Sequence, residues 1–177
     1  MVSLVPMLFG MVYAFILLDE NDANILQVIS VTPAGKRDFL YMRLLIPAFL
    51  SFIMVLVTIL LTDPVFSEGW LRSIYISILL SSQASFTFLF IDCLAGNKVQ
   101  GLALSKLYGI FLIAVPLGLL VHHPWNYLLF FSPLYWISWA WIIPSVSESL
   151  VYGIIAAVLT LGCSVIFFRY FLRKHSG

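Results

Sequence analysis

Residues 44–62 read LLIPAFLSFIMVLVTILLT and contain no charged side chain. A helix that crosses the hydrocarbon core of a bilayer needs about 20 predominantly apolar residues. This stretch therefore has the length and the composition to span a membrane by itself. It predicts a transmembrane helix rather than one face of a soluble domain.

The composition of the whole chain points the same way. Of its 177 residues, 62% are hydrophobic and only 10% are charged, whereas soluble domains average about 45–50% and about 25%. So little polar surface cannot cover a globule in water, which excludes a soluble enzyme. A net charge of +1 offers no strong field for nucleic acid. The predicted fold class is an all-α integral membrane protein.

Four more apolar runs accompany the first, and each of the five ends at charged residues, histidine or proline. They predict five transmembrane helices in a single membrane domain over residues 1–177. The predicted spans are residues 2–18, 44–62, 70–95, 102–121 and 149–168.

Residues 124–148 are also apolar, but they differ from the five spans in two ways. They hold three prolines and four tryptophans. Proline interrupts the hydrogen-bond ladder of a helix, and tryptophan concentrates at membrane–water interfaces. We therefore predict a re-entrant or interfacial helical segment on the outer face of the membrane.

The basic residues predict the orientation of the chain. If residues 124–148 do not cross, one side of the membrane receives eight of the nine basic residues: Lys36, Arg37, Arg43, Lys98, Lys106, Arg169, Arg173 and Lys174. Only Arg72 lies on the other side. Cytoplasmic loops carry the excess of lysine and arginine. This predicts a membrane protein with its N-terminus outside and its C-terminus in the cytoplasm.

The loop of residues 19–43 joins the first two spans and is the most informative part of the chain. It opens with the acids Asp19, Glu20 and Asp22. An amphipathic stretch then carries Ile25, Leu26, Val28 and Ile29 on its apolar side and Gln27 on its polar side. Thr32 and Pro33 end it. This pattern predicts a short helix at the inner interface, which either anchors the two spans or docks a cytosolic partner. The acids are either solvated or contact that partner.

In this order, the features resemble the permease subunits of type-2 ABC exporters. That pattern is an acidic pair at the end of a span, a short helix, an apolar-Thr-Pro turn and a basic residue soon after. It is matched by Asp19-Glu20, Ile25 to Val31, Thr32-Pro33 and Lys36-Arg37. Residues 97–106 resemble the cytoplasmic turn of the bacterial members, and residues 132–136 resemble their outer re-entrant segment.

One feature departs from the family, whose permeases usually have six spans. This chain begins inside what would be the second span, so we expect it to lack the first transmembrane helix. It would then be a truncated product, a chain with a misplaced start or one piece of a split permease.

The resemblance implies a pathway formed with a second permease chain, identical or different, and a separate cytosolic ABC ATPase that binds the ATP. It implies that the loop helix is the coupling element against the ATPase. The coupling residues would be Asp19, Glu20, Asp22, Ile25, Leu26, Gln27, Ile29, Thr32 and Pro33. The chain itself has no P-loop motif, so we expect no cofactor and no ATPase site of its own. Family members export drugs, lipids and glycans, and the resemblance to the bacterial members implies a bacterial cytoplasmic membrane.

Polar side chains within the third span form a second group of candidates: Ser81, Ser82, Gln83, Ser85 and Thr87. Such groups either join helices or line a pathway. Glu148, before the last span, is either a functional acid or a helix N-cap. His122 and His123 lack a third ligand, so no metal site is expected.

Three other functions compete with the exporter. A secondary transporter or channel usually shows buried charges within its spans or paired broken helices, and no charge falls at the middle of a predicted span. A membrane hydrolase needs a nucleophile motif or metal motif, and none is present. A non-transporting assembly subunit is the most serious rival, because the first span is missing.

Overall fold

A computed structural model of the chain describes residues 2–23, 25, 35–62, 70–120 and 129–176. Within these ranges the chain forms helices and short turns, with no β-strand. The helices in these ranges are α1 (Leu4–Asp22), α2 (Gly35–Thr62), α3 (Trp70–Leu94), α4 (Lys98–Leu120), α5 (Pro133–Ile142) and α6 (Val146–Ser176). The prediction of an all-helical fold is confirmed.

Four stretches of helix are long and apolar enough to cross a membrane. They are Leu4–Asp22, Asp38–Thr62, Trp70–Leu94 and Val146–Arg173, and they correspond to four of the five predicted spans. Helix α4 is 23 residues long and corresponds to the remaining one. The chain is therefore a multi-pass membrane protein, and a fifth span stays a prediction.

The helices on either side of the predicted coupling loop are longer than their apolar runs. Helix α1 continues through Asp22, so the three acids lie in its last turns instead of in the loop that follows. Helix α2 begins at Gly35, nine residues before its apolar run. At these ends, Asp19 pairs with Lys98 and Glu20 pairs with Arg43.

Helix α3 lies at the centre of the bundle. About 67% of its span is buried, compared with 39% for α1 and 17% for α6. Helix α1 crosses it at Gly10, where an added Cβ would lie 2.5 Å from the carbonyl oxygen of Ala84 and 2.8 Å from Cβ of Thr87. Ala14, one turn further along α1, is fully buried. Small residues allow this close approach of two backbones, as is common for helix pairs in lipid.

The bundle has two ends that differ in chemistry. The acidic end holds Asp19 and Glu20 of α1, together with the beginnings of α2 and α4. The tryptophan end holds the beginnings of α3 and α6, together with α5. Helix α5 has ten residues and is therefore about 15 Å long, which is too short to cross the roughly 30 Å hydrocarbon core. Its re-entrant placement stays a prediction.

Candidate functional site

At the acidic end, an ion pair joins α1 to the first residue of α4. Nζ of Lys98 lies 2.7 Å from Oδ2 of Asp19, and the two side chains are 52% and 53% exposed. Water screens an ion pair this exposed, and such pairs stabilise by less than about 1 kcal/mol. The ion pair therefore contributes little to holding α4 against α1.

A second ion pair joins α1 to α2 and is far better shielded. The guanidinium of Arg43 contacts the carboxylate of Glu20, and the side chains are 21% and 16% exposed. The same guanidinium lies 5.1 Å from the ring centroid of Phe39, a cation–π contact. Two adjacent acids of one helix thus bind two different neighbours, so α1 is tied to both α2 and α4.

The other coupling candidates fall into two groups. Asp22 and Ile25 are exposed, so both side chains are accessible to a partner. Leu26, Gln27, Ile29, Thr32 and Pro33 lie outside the described residues. Asp22, which lies nearest the start of the loop, makes no ion pair within the described residues.

In the middle of the bundle, part of the polar run of α3 joins neighbouring helices. Nε2 of Gln83 donates a hydrogen bond to Oγ1 of Thr160 in α6 at 2.9 Å, and both side chains are buried. Oγ1 of Thr87 donates to the carbonyl of Gln83 in its own helix at 2.7 Å, and the Thr87 side chain also contacts the hydroxyl of Tyr108 in α4. Ser85 donates to the carbonyl of Leu44 in α2 at 3.2 Å. These three contacts connect α3 to α6, α4 and α2.

The other two serines of the run bond within their own helix. Ser82 donates to the carbonyl of Leu79, and Ser81 donates to the carbonyl of Ile78. Ser81 differs because it also lines a shallow cavity of about 680 Å³ that is open to the surface of the bundle between α2 and α3. The other walls of this cavity are apolar and include the exposed side chains of Leu45 and Phe49. Within the run, Ser81 is therefore the residue that lines this cavity.

Thr160→Val is expected to destabilise the bundle by about 1 kcal/mol, because it leaves the buried Gln83 amide without its acceptor. Gln83→Met is expected to be nearly neutral. It removes the same hydrogen bond, but it also removes Oε1 of Gln83, a buried oxygen with no hydrogen-bond partner among the described residues. Gln83→Met leaves no unpaired group behind, because the Thr160 hydroxyl keeps its hydrogen bond to the Ala156 carbonyl.

The measurement is the free energy of unfolding of both single variants and the double variant in mixed micelles. The double variant should match Gln83→Met. A double variant whose loss equals the sum of the two single losses would show that Gln83 and Thr160 are not coupled.

Sequence reasoning missed Thr160 and Tyr108, the partners of the polar run. No signal marks them, since a single threonine or tyrosine in an apolar span is ordinary. Glu148 lies exposed in the first turn of α6, which starts at Val146, so it is within the helix and not at its N-cap position. Among the residues that the structure describes, no three histidine, cysteine or acidic side chains group as metal ligands; His122 and His123 lie outside them.

Comparison with known proteins gives one consistent result. The family model for Rv2686c-like proteins, described as "Fluoroquinolones export permease protein Rv2686c-like", matches residues 1–168. Two Mycobacterium tuberculosis proteins are 29% identical to the chain over 175 residues, which is 94% of this chain and 67% of each relative. They are the fluoroquinolones export permease proteins MT2760 (strain CDC 1551 / Oshkosh) and Rv2686c (strain ATCC 25618 / H37Rv). No solved structure matches the chain.

Proposed function

The chain belongs to the Rv2686c-like family of fluoroquinolones export permease proteins, and from this premise we propose that it is a permease subunit of an ATP-driven ABC exporter. A second permease chain completes the membrane pathway, and a separate cytosolic ATPase binds the ATP. The family match over nearly the whole chain is the observation that carries this proposal. It agrees with the multi-pass helical fold.

The relatives are named for fluoroquinolone export, and we propose planar aromatic drugs of that class as the cargo. The apolar cavity beside Ser81 supports a cargo of low polarity. Its walls consist of aliphatic and aromatic side chains on α2 and α3, which offer contact area to a flat ring system.

In this proposal the acidic end faces the cytoplasm and the ATPase. The eight basic residues that share this side by sequence support that orientation. The loop after α1 carries the docking surface, which begins at Asp22 and Ile25. Asp19 and Glu20 transmit its movement, because their ion pairs connect α1 to α4 and α2. A push on the loop then tilts three helices together as a rigid-body change of state.

Asp22→Lys is expected to lower the amount of ATPase that co-purifies with the tagged chain by about tenfold, since a lysine opposes basic groups on the partner. Asp22→Glu keeps the charge and should retain the wild-type yield. The Asp22 side chain is exposed at the end of α1, so we expect neither substitution to disturb the packing of the bundle. The measurement is quantitative mass spectrometry of the complex purified in mild detergent from the native host.

An unchanged ATPase yield with Asp22→Lys would remove this residue from the docking surface. If the wild-type chain brings down no ATPase at all, the exporter function fails and a non-transporting assembly subunit becomes the better account. Fluoroquinolone accumulation in cells with and without the chain then separates these two functions.

A further inference from the structure

Arg72 is the one basic residue that the sequence places away from the other eight, and the structure shows what it binds. It lies in the first turn of α3, at the tryptophan end. Its guanidinium Nη2 donates towards three carbonyl oxygens at the C-terminal end of α5. The distances are 2.6 Å to Ile143, 2.8 Å to Trp141 and 3.2 Å to Ala140.

These carbonyl groups need a donor from outside α5. In a continuing helix, the carbonyl of Ala140 would accept the backbone N–H of residue 144. Residue 144 is proline, which has no N–H, and the helix stops at Ile142. The last carbonyls of a helix also carry its negative dipole end, which a cation stabilises. Arg72 supplies both hydrogen-bond donors and positive charge at this point.

Helix α6 holds the same end of α5 from a second direction. Oγ of Ser149 donates to the Ala140 carbonyl at 2.7 Å, and Ser149 is almost fully buried. The backbone carbonyl of Ser149 in turn accepts a hydrogen bond from the hydroxyl of Tyr75, one turn after Arg72 in α3. The hydroxyl of Tyr75 occupies the space that a side chain at Gly153 would need. Each of the helices α3, α5 and α6 is thus hydrogen-bonded to the other two.

The faces of α5 are packed as well. Leu134, Tyr135, Ile137 and Ala140 are buried. The ring of Trp136 stacks on Tyr152 of α6, with centroids 5.8 Å apart and planes 21° apart. Packing holds the sides of α5 by nonspecific contact, whereas the C-terminal end is held by directed hydrogen bonds from Arg72 and Ser149. The end is therefore the part of α5 that a single substitution can release.

We propose that Arg72 is a positioning residue that fixes α5 to the body formed by α3 and α6, so that α5 moves with this body when the exporter changes state. This inference rests on the proposed function, in which the tryptophan end is the outer face where cargo leaves. When α3 and α6 tilt, Arg72 carries the end of α5 with them and sets the width of the outer opening. An α5 released from this contact no longer follows the ATP-driven change.

The test uses the complete exporter, with its ATPase and its second permease unit, reconstituted in lipid nanodiscs and proteoliposomes. Arg72→Met keeps the length of the side chain and removes its donors and its charge. Arg72→Lys keeps the charge and part of the donor set. Leu71→Met is the matched control, since the neighbouring Leu71 side chain is 85% exposed and receives the same new side chain.

Three quantities are measured: hydrogen–deuterium exchange of amides 134–143, ATP hydrolysis and fluoroquinolone transport. With Arg72→Met, amides at the end of α5 should exchange roughly tenfold faster. Transport should fall severalfold while ATP hydrolysis stays near the wild-type rate, because the acidic end lies at the other end of the bundle. Arg72→Lys should partly restore both the slow amide exchange and the transport rate. Leu71→Met should change none of the three quantities.

Unchanged exchange in Arg72→Met would overturn the contact itself. Faster exchange with undiminished transport would overturn the positioning role and leave Arg72 a structural residue. If Arg72→Met fails to assemble, Arg72→Lys and Ser149→Ala carry the same test, because each removes only some of the donors to α5. A wild-type complex that transports no fluoroquinolone would contradict the proposed function instead, and the exchange rates alone would then decide whether Arg72 holds α5.

Discussion

Gly10→Ala is expected to be among the most destabilising single-methyl changes in the described part of the chain. The new Cβ would lie 2.5 Å from the carbonyl oxygen of Ala84 and 3.2 Å from the backbone nitrogen of Phe88. Both atoms belong to the backbone of α3, so no side chain can rotate away. Helix α1 must move by about 1 Å to restore normal contact distances. Overpacking of this kind costs about 1–3 kcal/mol.

The matched control is Gly162→Ala in α6, where an added Cβ would meet no atom within 4 Å. Both substitutions exchange glycine for alanine inside an apolar helix, so they share the change in helix propensity. Only the helix crossing differs. We expect Gly162→Ala to be neutral or slightly stabilising when the free energy of unfolding is measured in mixed micelles. Equal losses for the two variants would show that α1 and α3 do not pack as closely as described.

Glu20→Arg and Arg43→Glu are each expected to destabilise the protein by about 2–3 kcal/mol. Breaking a buried ion pair costs about 3–5 kcal/mol, and the smaller value allows for water around side chains that are about a fifth exposed. Each single change places two like charges together at the contact between α1 and α2. The loss should appear both in the free energy of unfolding and in the amount of folded protein recovered from the membrane.

The double variant that exchanges the two charges should recover much of this loss. Recovery is expected to be incomplete, since the exchanged arginine leaves the Phe39 ring. The corresponding exchange of Asp19 and Lys98 is the control, because that pair is half exposed; each of its single variants should cost less than about 1 kcal/mol. A charge exchange at Glu20 and Arg43 that recovers nothing would show that their ion pair does not hold α1 against α2.

The ion pairs change the interpretation of the acidic pair that sequence analysis singled out. The residues Asp19 and Glu20 suggest solvated or partner-binding acids, because nothing in their neighbourhood offers a cation within the same helix. Their partners are Lys98 and Arg43, which lie 79 and 23 residues away. A pattern along the chain cannot show which of nine basic residues an acid will meet. Asp19 and Asp22 are both exposed, but Asp19 is paired with Lys98, whereas Asp22 makes no ion pair within the described residues.

The polar run of α3 is a second case in which the sequence shows the residues and only the structure shows their partners. Its residues are visible in the sequence, since serine, threonine and glutamine stand out in an apolar span. The sequence leaves open whether they join helices or line a pathway. The structure distinguishes them: Gln83, Ser85 and Thr87 reach other helices, and Ser81 lines the cavity. The difference depends on the direction in which each side chain leaves α3 relative to its neighbours.

The sequence by itself determined the membrane class, the places of the apolar spans and the candidate residues. Insertion into a bilayer depends on the summed transfer free energies of one continuous segment, so it can be read locally. The tertiary structure decided the crossing at Gly10, the partners of the acidic pair and the hold of Arg72 on α5. In lipid, helices associate through close packing and hydrogen bonds rather than through burial from water. Those contacts join residues far apart in the chain, and no local pattern records them.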